Sequence, residues 1–142
     1  KYIKGWRVLD VVVSGFFDSV GLYDESGTAE REMAKNWLTT LKIIGLEKHY
    51  YHEISFGQQR LVLLARAMVK YPKILILDEP CVGLDDYHGE LILGILDLIA
   101  EKTETKIIYV SHVGGEQPVC INRKLSFIPS PAGGFTLEQT EI

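Results

Sequence analysis

Two short apolar runs, each cut off by polar residues, constrain the fold more than any other feature of this chain. KILIL (73–77) is followed by Asp78-Glu79-Pro80, and KIIYV (106–110) by Ser111-His112. A continuous apolar run of this length predicts a strand covered on both faces. Between the runs, ELILGILDLIAEK (90–102) has helical spacing. Strand, helix and strand in that order predict an α/β unit with a parallel sheet, whose right-handed crossover places both polar strand ends on one edge. Open α/β sheets bind ligands at that edge, so Asp78, Glu79 and His112 are expected to share a cleft. Polar strand ends also arise because loops are wet, which suffices for any one of the three alone. Two adjacent carboxylates and an imidazole on one edge are less easily explained that way. Two further short strands are expected at KLSFI (124–128) and GFTLE (134–138).

Ahead of residue 54 the patterns are helical only. VLDVVVSGFFDSV (8–20) carries apolar residues at helical spacing, and Met33, Trp37, Leu41 and Ile44 repeat it over 29–45, with Gly45 as the expected stop. A turn-rich link, LYDESGT, separates these two helices, and EKHYYHE follows the second.

The stretch ISFGQ (54–58) opens the most apolar helical pattern in the chain, QRLVLLARAMVKYP. Ser55 with Gln58 three positions on matches a capping box, which covers free first-turn amides and needs no ligand. The same amides carry the positive end of the helix dipole, and Gly57 lets an anion approach the backbone. Spacing alone leaves both readings open.

The chemistry that fits the strand ends is phosphoryl transfer from a nucleotide. Asp78 is expected to serve Mg²⁺ through water, Glu79 to orient the attacking water, and His112 to donate to the γ-phosphate. A carboxylate beside bound Mg²⁺ stays ionised, so Glu79 acts by positioning and partial proton acceptance.

Composition sets the outer limits. The 142 residues are 46% hydrophobic and 24% charged, ordinary for one globular domain, and a net charge of -4 argues against nucleic acid as a partner. Apolar runs reach only about five residues, against the roughly 18 a membrane span needs, and Lys1-Tyr2-Ile3-Lys4 opens no signal-peptide pattern, so a soluble, cytosolic chain is expected. Cys81 and Cys120 lack CxxC spacing and read as reduced, packed thiols. His49 and His52 have a spacing compatible with metal but no completing ligand, which favours a surface role. His88 falls in the expected first turn of a helix, where a capping carboxylate from Asp85-Asp86 is the more natural feature. Trp6 and Trp37 read as packing residues. Phe16, Phe17 and Tyr23 read as packing too, with a partner-docking surface as the alternative.

In order, ISFGQQR, ILILDEP, VGLDD and YVSH resemble the signature, Walker B, D-loop and H-loop of the ATP-binding-cassette (ABC) ATPases. The resemblance implies a partial P-loop NTPase (RecA-like) α/β core with parallel strands. To this it adds an ABC α-helical subdomain, with residues 1–71 in the subdomain and 72–142 in the core. Within the family, SFGQQRLVLLARAMVKYP, Glu116-x-Pro118 and the CINRKLSFIP tail are most similar to the second cassette of the ModF/PhrA-like two-cassette proteins associated with molybdate transport. It further implies that Ser55, Phe56, Gly57 and Gln58 face an ATP held by a second cassette, while Asp78, Glu79 and His112 serve the ATP of their own. Asp85 would lie at the contact of a head-to-tail dimer. Mg²⁺ and ATP are the implied cofactor and substrate, membrane-spanning transporter subunits the implied further partners, and the inner face of the cell membrane the implied location. Two departures stand out: Phe56 replaces the usual glycine of the signature, and Val82-Gly83 replace the usual Ser-Ala of the D-loop.

No G-x-x-x-x-G-K-[ST] occurs in the sequence, and neither does a Q-loop glutamine ahead of the helical region. The chain is therefore expected to be the C-terminal part of a longer cassette, lacking the Walker A strand and loop, and to be inactive alone. A non-hydrolytic regulatory or interaction module is the alternative. A coiled-coil DNA-repair cassette fits poorly, because the segment ahead of Ser55 lacks sustained heptads.

Overall fold

The computed structural model describes residues 5–17, 27–112, 117–131 and 133–142. Among these residues, four α-helices and four strands follow in the order α1 (Val8–Val13), α2 (Thr28–Thr40), α3 (Phe56–Met68), β1 (Ile74–Asp78), α4 (Asp86–Lys102), β2 (Lys106–Val110), β3 (Arg123–Pro129) and β4 (Phe135–Glu141). The expectations at 18–20, Tyr23, most of the 22–28 link, Glu116 and residues 1–4 lie outside the described residues.

The helix expected over 8–20 is shorter. α1 ends at Val13, a single 3-10 turn follows over Ser14–Phe16, and Phe17 is extended. Close packing explains the break. A Cβ on Gly15 would stand 2.1 Å from the Arg66 carbonyl oxygen, so the chain presses on α3 at that point. Ser14 pins the contact, its hydroxyl donating to the Val11 carbonyl at 2.5 Å and accepting from Arg66 Nε at 2.7 Å. Four valines make α1 a poor helix by propensity, yet Val8, Val11, Val12 and Val13 are all buried, and burial decides. No side chain caps this helix. Its first amides donate instead to the backbone of the 47–53 loop, Val8 to the His49 carbonyl at 2.9 Å and Leu9 to that of Glu47 at 3.1 Å.

α2 ends five residues before Gly45. Lys42 takes the left-handed conformation (φ 58°), its N–H donates to the Thr39 carbonyl, and the Ile43 N–H reaches back to Leu38. This is a Schellman ending built on a non-glycine residue, closed by the buried pair Leu38 and Ile43. α3 forms the centre of the core. Leu61, Val62, Leu64, Ala65, Met68 and Val69 are buried along it, each larger side chain contributing roughly 1.5–3 kcal/mol.

β1 and β2 pair in parallel, Ile74 opposite Lys106 and Asp78 opposite Val110, so both polar strand ends fall on one edge as the pattern predicts. The expectation of cover on both faces fails. Leu75, Leu77, Ile107 and Tyr109 pack against the core, whereas Ile74, Ile76 and Ile108 are exposed because no described element lies on that face. β3 and β4 form a separate antiparallel hairpin with Phe127 opposite Leu137. Its residues, Phe127 and Phe135 included, are almost all exposed.

Trp37 is buried in the core and Trp6, Phe16 and Phe17 pack half-buried against it, which is the packing role expected of them. His49 and His52 are exposed. Among the described residues no helix is long and apolar enough to cross a membrane, and no group of three or more His, Cys, Asp or Glu is placed to hold a metal ion.

Candidate functional site

Ser55 caps α3 with a complete capping box. The Gln58 N–H donates to Ser55 Oγ at 3.2 Å and the Ser55 N–H to Gln58 Oε1 at 3.0 Å. The arrangement uses acceptors only. The Ser55 hydroxyl proton and the Gln58 amide protons are not consumed by it, so both side chains are held in place with donors to spare. The capping and anion readings are therefore compatible, which spacing alone left undecided. Gln59 fixes the approach to this turn, its Nε2 donating to the carbonyls of Tyr51 and Ile54.

Phe56 is 51% exposed, with the Arg60 guanidinium 5.0 Å from its ring centre. The ring comes near Gly83, where an added Cβ would be 3.6 Å from Phe56 Cε1. Gly83 has φ 77°, a conformation that suits glycine. Gly57 is buried for a reason the sequence does not disclose. A Cβ there would stand 2.5 Å from the imidazole of His88, so the first turn of α3 rests on the first turn of α4.

Asp85 caps α4 as expected, accepting the His88 N–H at 3.0 Å. That cap makes α4 begin at Asp86, four residues before its apolar pattern becomes visible. The Asp85 carboxylate also holds His88 Nδ1, at 2.9 Å from Oδ1 and 2.7 Å from Oδ2. A carboxylate can only accept, so Nδ1 carries the proton. The His88 backbone N–H first, and then its ring, hold the Asp85 carboxyl below its ordinary range.

At the sheet edge, Asp78 ends β1 with an exposed side chain. Glu79 follows in the left-handed conformation (φ 46°), its N–H donating to the Val110 carbonyl at 2.9 Å. This strained turn directs the half-buried Glu79 carboxylate to within 3.8 Å of His112 Nε2. All three predicted residues thus sit at one edge. A cleft of about 590 Å³ opens beside them, lined by Glu79, Asp85, Leu84, Tyr109 and Ser111 among others, though not by Asp78 or His112.

Tyr109 is the lining residue that sequence reading missed. Its position two residues after Ile107 in KIIYV, on the same strand face, was the available signal. Burial pushes its phenol up to about 12, and the hydroxyl donates to Cys81 Sγ at 3.7 Å. Cys81 and Cys120 are free and half-buried, matching the reading as packed thiols. Burial, then Asp97, pushes the Cys120 thiol up to about 11.

Mg²⁺ demands few protein ligands, usually one or two carboxylates alongside phosphates and water. An exposed Asp78 carboxylate at the strand end fits that demand, and no second protein ligand is needed.

Residues 7–82 match the sequence profile of the ABC transporter family. The chain is 40% identical over 132 residues to the ABC transporter ATP-binding protein ModF of Escherichia coli (strain K12), spanning 90% of this chain and 26% of ModF. It is 36% identical over 93 residues to the molybdenum import ATP-binding protein ModC of Albidiferax ferrireducens, spanning 63% of this chain and 25% of ModC. The chain thus spans about a quarter of either relative. Among solved structures, a dimeric bacterial ABC transporter cassette superimposes with a TM-score of 0.67 at 28% identity, over 87% of this chain and 53% of that one. By matched profile, relatives and fold together, the chain belongs to the ABC transporter ATPase family and is similar to ModF within it.

Proposed function

We propose that this chain supplies the signature, Walker B, D-loop and H-loop parts of a cassette that hydrolyses ATP between two cassettes arranged head to tail. Residues 1–71 act as the helical subdomain and 72–142 as the C-terminal part of the core. The observation that carries this reading is the left-handed backbone at Glu79, which spends conformational energy to hold a carboxylate 3.8 Å from His112 at the end of a parallel strand.

In this reading Asp78 would hold Mg²⁺ through water, and the ion would supply charge neutralisation at the phosphates. Glu79 accepts a hydrogen bond from the attacking water and takes up part of its proton as the oxygen closes on the γ-phosphorus. The bond from phosphorus to the ADP oxygen breaks in line. His112 donates to the γ-phosphate from the end of the neighbouring strand. Ser55 and Gln58, fixed by their mutual hydrogen bonds, offer their remaining donors to the γ-phosphate of the partner cassette's ATP, with the first-turn amides of α3 behind them. Phe56 packs at that interface and Asp85 lies beside it.

One chain serves two sites, so a second cassette is the required partner. The structural likeness to a dimeric cassette supports it. The molybdenum import named for ModC supports a link to molybdate or another small anion. Membrane-spanning subunits as further partners and a place at the cytoplasmic face of the membrane go with that reading. The sequence holds no phosphate loop, so the 142 residues alone are expected to turn over no ATP.

The test is steady-state hydrolysis of MgATP by the protein that joins this chain to a phosphate loop. Glu79→Gln is expected to abolish turnover while leaving ATP bound. Turnover by the isolated chain that Glu79→Gln removes would overturn the expectation of inactivity. A parent protein that binds ATP but never hydrolyses it would favour a non-hydrolytic module.

A further inference from the structure

The first turns of α3 and α4 are joined by contacts that the chemistry above does not use. His88 stands at their centre. Its ring lies against Gly57 closely enough that a single added carbon would collide at 2.5 Å, while its Nδ1 is bound by Asp85 at 2.7 and 2.9 Å. The side chain is only one-fifth exposed, so its bulk is committed to this junction. Beside it, Phe56 Cε1 stands 3.6 Å from where a Cβ on Gly83 would be, a second near approach of the same two segments. One segment carries the signature residues and the other the D-loop aspartate.

We propose that His88 is a positioning residue that locks Asp85 to the signature turn, so that Ser55, Gln58 and Asp85 reach a partner cassette as one rigid surface. This rests on the functional reading above for its use in catalysis, though not for the junction itself. The physical reason is geometric. An imidazole offers a flat face to a backbone without a Cβ and a directional Nδ1–H to a carboxylate, which no aliphatic side chain combines. Cutting either contact frees the two segments to move independently. Groups that must meet a nucleotide together lose rate steeply when their mutual placement drifts.

Three variants separate the contributions. His88→Leu keeps bulk against Gly57 and removes the donor. His88→Asn restores a donor near Nδ1. Asp85→Ser keeps a helix cap and removes the carboxylate, which provides a route should His88→Leu fold poorly. Backbone amide spectra of the chain without nucleotide are the first readout. His88→Leu and Asp85→Ser are both expected to shift the Gly57 and Gln58 amides across the junction, with His88→Asn returning them toward wild type. Unmoved Gly57 and Gln58 amides in Asp85→Ser or His88→Leu would overturn the junction, as would a failure of His88→Asn to restore them.

The second readout is hydrolysis in the protein that carries the phosphate loop. There His88→Leu should lower kcat by roughly ten- to hundredfold with KM for MgATP little changed, because the cassette's own ATP contacts are untouched. A wild-type protein with no turnover would refute the functional reading and leave the junction to be decided by the amide shifts. An unchanged kcat in an active protein would overturn the role assigned to His88.

Discussion

Ser55 and Gln58 hold each other across the first turn of α3, each backbone N–H donating to the other's side chain. Removing the Ser55 hydroxyl leaves the Gln58 N–H without its partner, and Ser55→Ala should cost about 1 kcal/mol in urea unfolding. Helix α3 should survive, because its buried apolar side chains contribute several times that amount. A loss of helix content along with the cap would show that the core holds this helix less firmly than its burial implies.

Glycine at 15, 57 and 94 meets three different surroundings, and alanine should sort them. At Gly15 the added carbon meets the Arg66 carbonyl, which is backbone and cannot step aside. At Gly57 it meets a ring that can turn away only by leaving Asp85. Gly94, mid-α4, has nothing within 4 Å. Gly94→Ala should therefore stabilise by roughly 0.5–1 kcal/mol through helix propensity. Gly57→Ala should destabilise by roughly 1–3 kcal/mol despite the same propensity gain, and Gly15→Ala by at least as much. Thermal melts followed by circular dichroism give the order, and a stabilised Gly57→Ala protein would refute the close contact with His88.

Asp85 gives the fold an acid limit whose sign follows from its partners. Hydrogen bonds from the His88 N–H and ring hold the folded carboxyl below its ordinary value, so its stabilisation is fully present above the unfolded value of about 3.9. It is lost as pH falls through the lowered folded value. An asparagine in this position would still cap the helix, so a comparison of wild type with Asp85→Asn isolates the charge. The stability gap between the two should hold from pH 7 to about 5 and close in acid. A gap that persists unchanged to pH 2 would contradict the shift.

Cys120 shows the opposite sign. Burial raises its folded value to about 11, so the thiol is stabilising below its unfolded value and that contribution is lost as pH rises through 11. At pH 8 the folded thiolate is scarcer than in the unfolded chain by about two decades. Iodoacetamide should alkylate Cys120 roughly a hundredfold more slowly in buffer than in urea, read site by site after digestion. Equal rates would mean that the thiol is not held as described.

What the sequence made legible is whatever depends on short spacing. The capping box needs only Ser55 and Gln58 three apart, and the parallel pairing of β1 with β2 follows from two apolar runs and the helix between them. The end of α2 was not legible, because a left-handed Lys42 is tolerated only where Leu38 and Ile43 close over it in the core. Nor was the end of α1, which is set by the Arg66 carbonyl 51 residues after Gly15. His88 was read as a bystander to a cap. Its contact with Gly57 spans two helices, and no local pattern encodes such a meeting. Phe56 looked like an isolated departure from the family motif, yet its ring comes near a second departure, Gly83, across a distance that no local pattern encodes.

Glu79 sets stability against activity in a single residue. Its φ of 46° places a non-glycine residue in the left-handed region, at a cost of roughly 1–2 kcal/mol. Glycine occupies that region freely but carries more chain entropy in the unfolded state, which takes back about 0.5–1 kcal/mol. Glu79→Gly should therefore leave the fold as stable as wild type or more stable by up to about 1.5 kcal/mol. The same change removes the carboxylate beside His112, and turnover in the complete cassette should vanish. Glu79→Gln keeps the strain and loses turnover alone. Urea midpoints and hydrolysis rates for the two variants separate backbone from side chain: a Glu79→Gly protein clearly less stable than Glu79→Gln would mean that the carboxylate stabilises the fold, and the strained turn would then need no functional explanation.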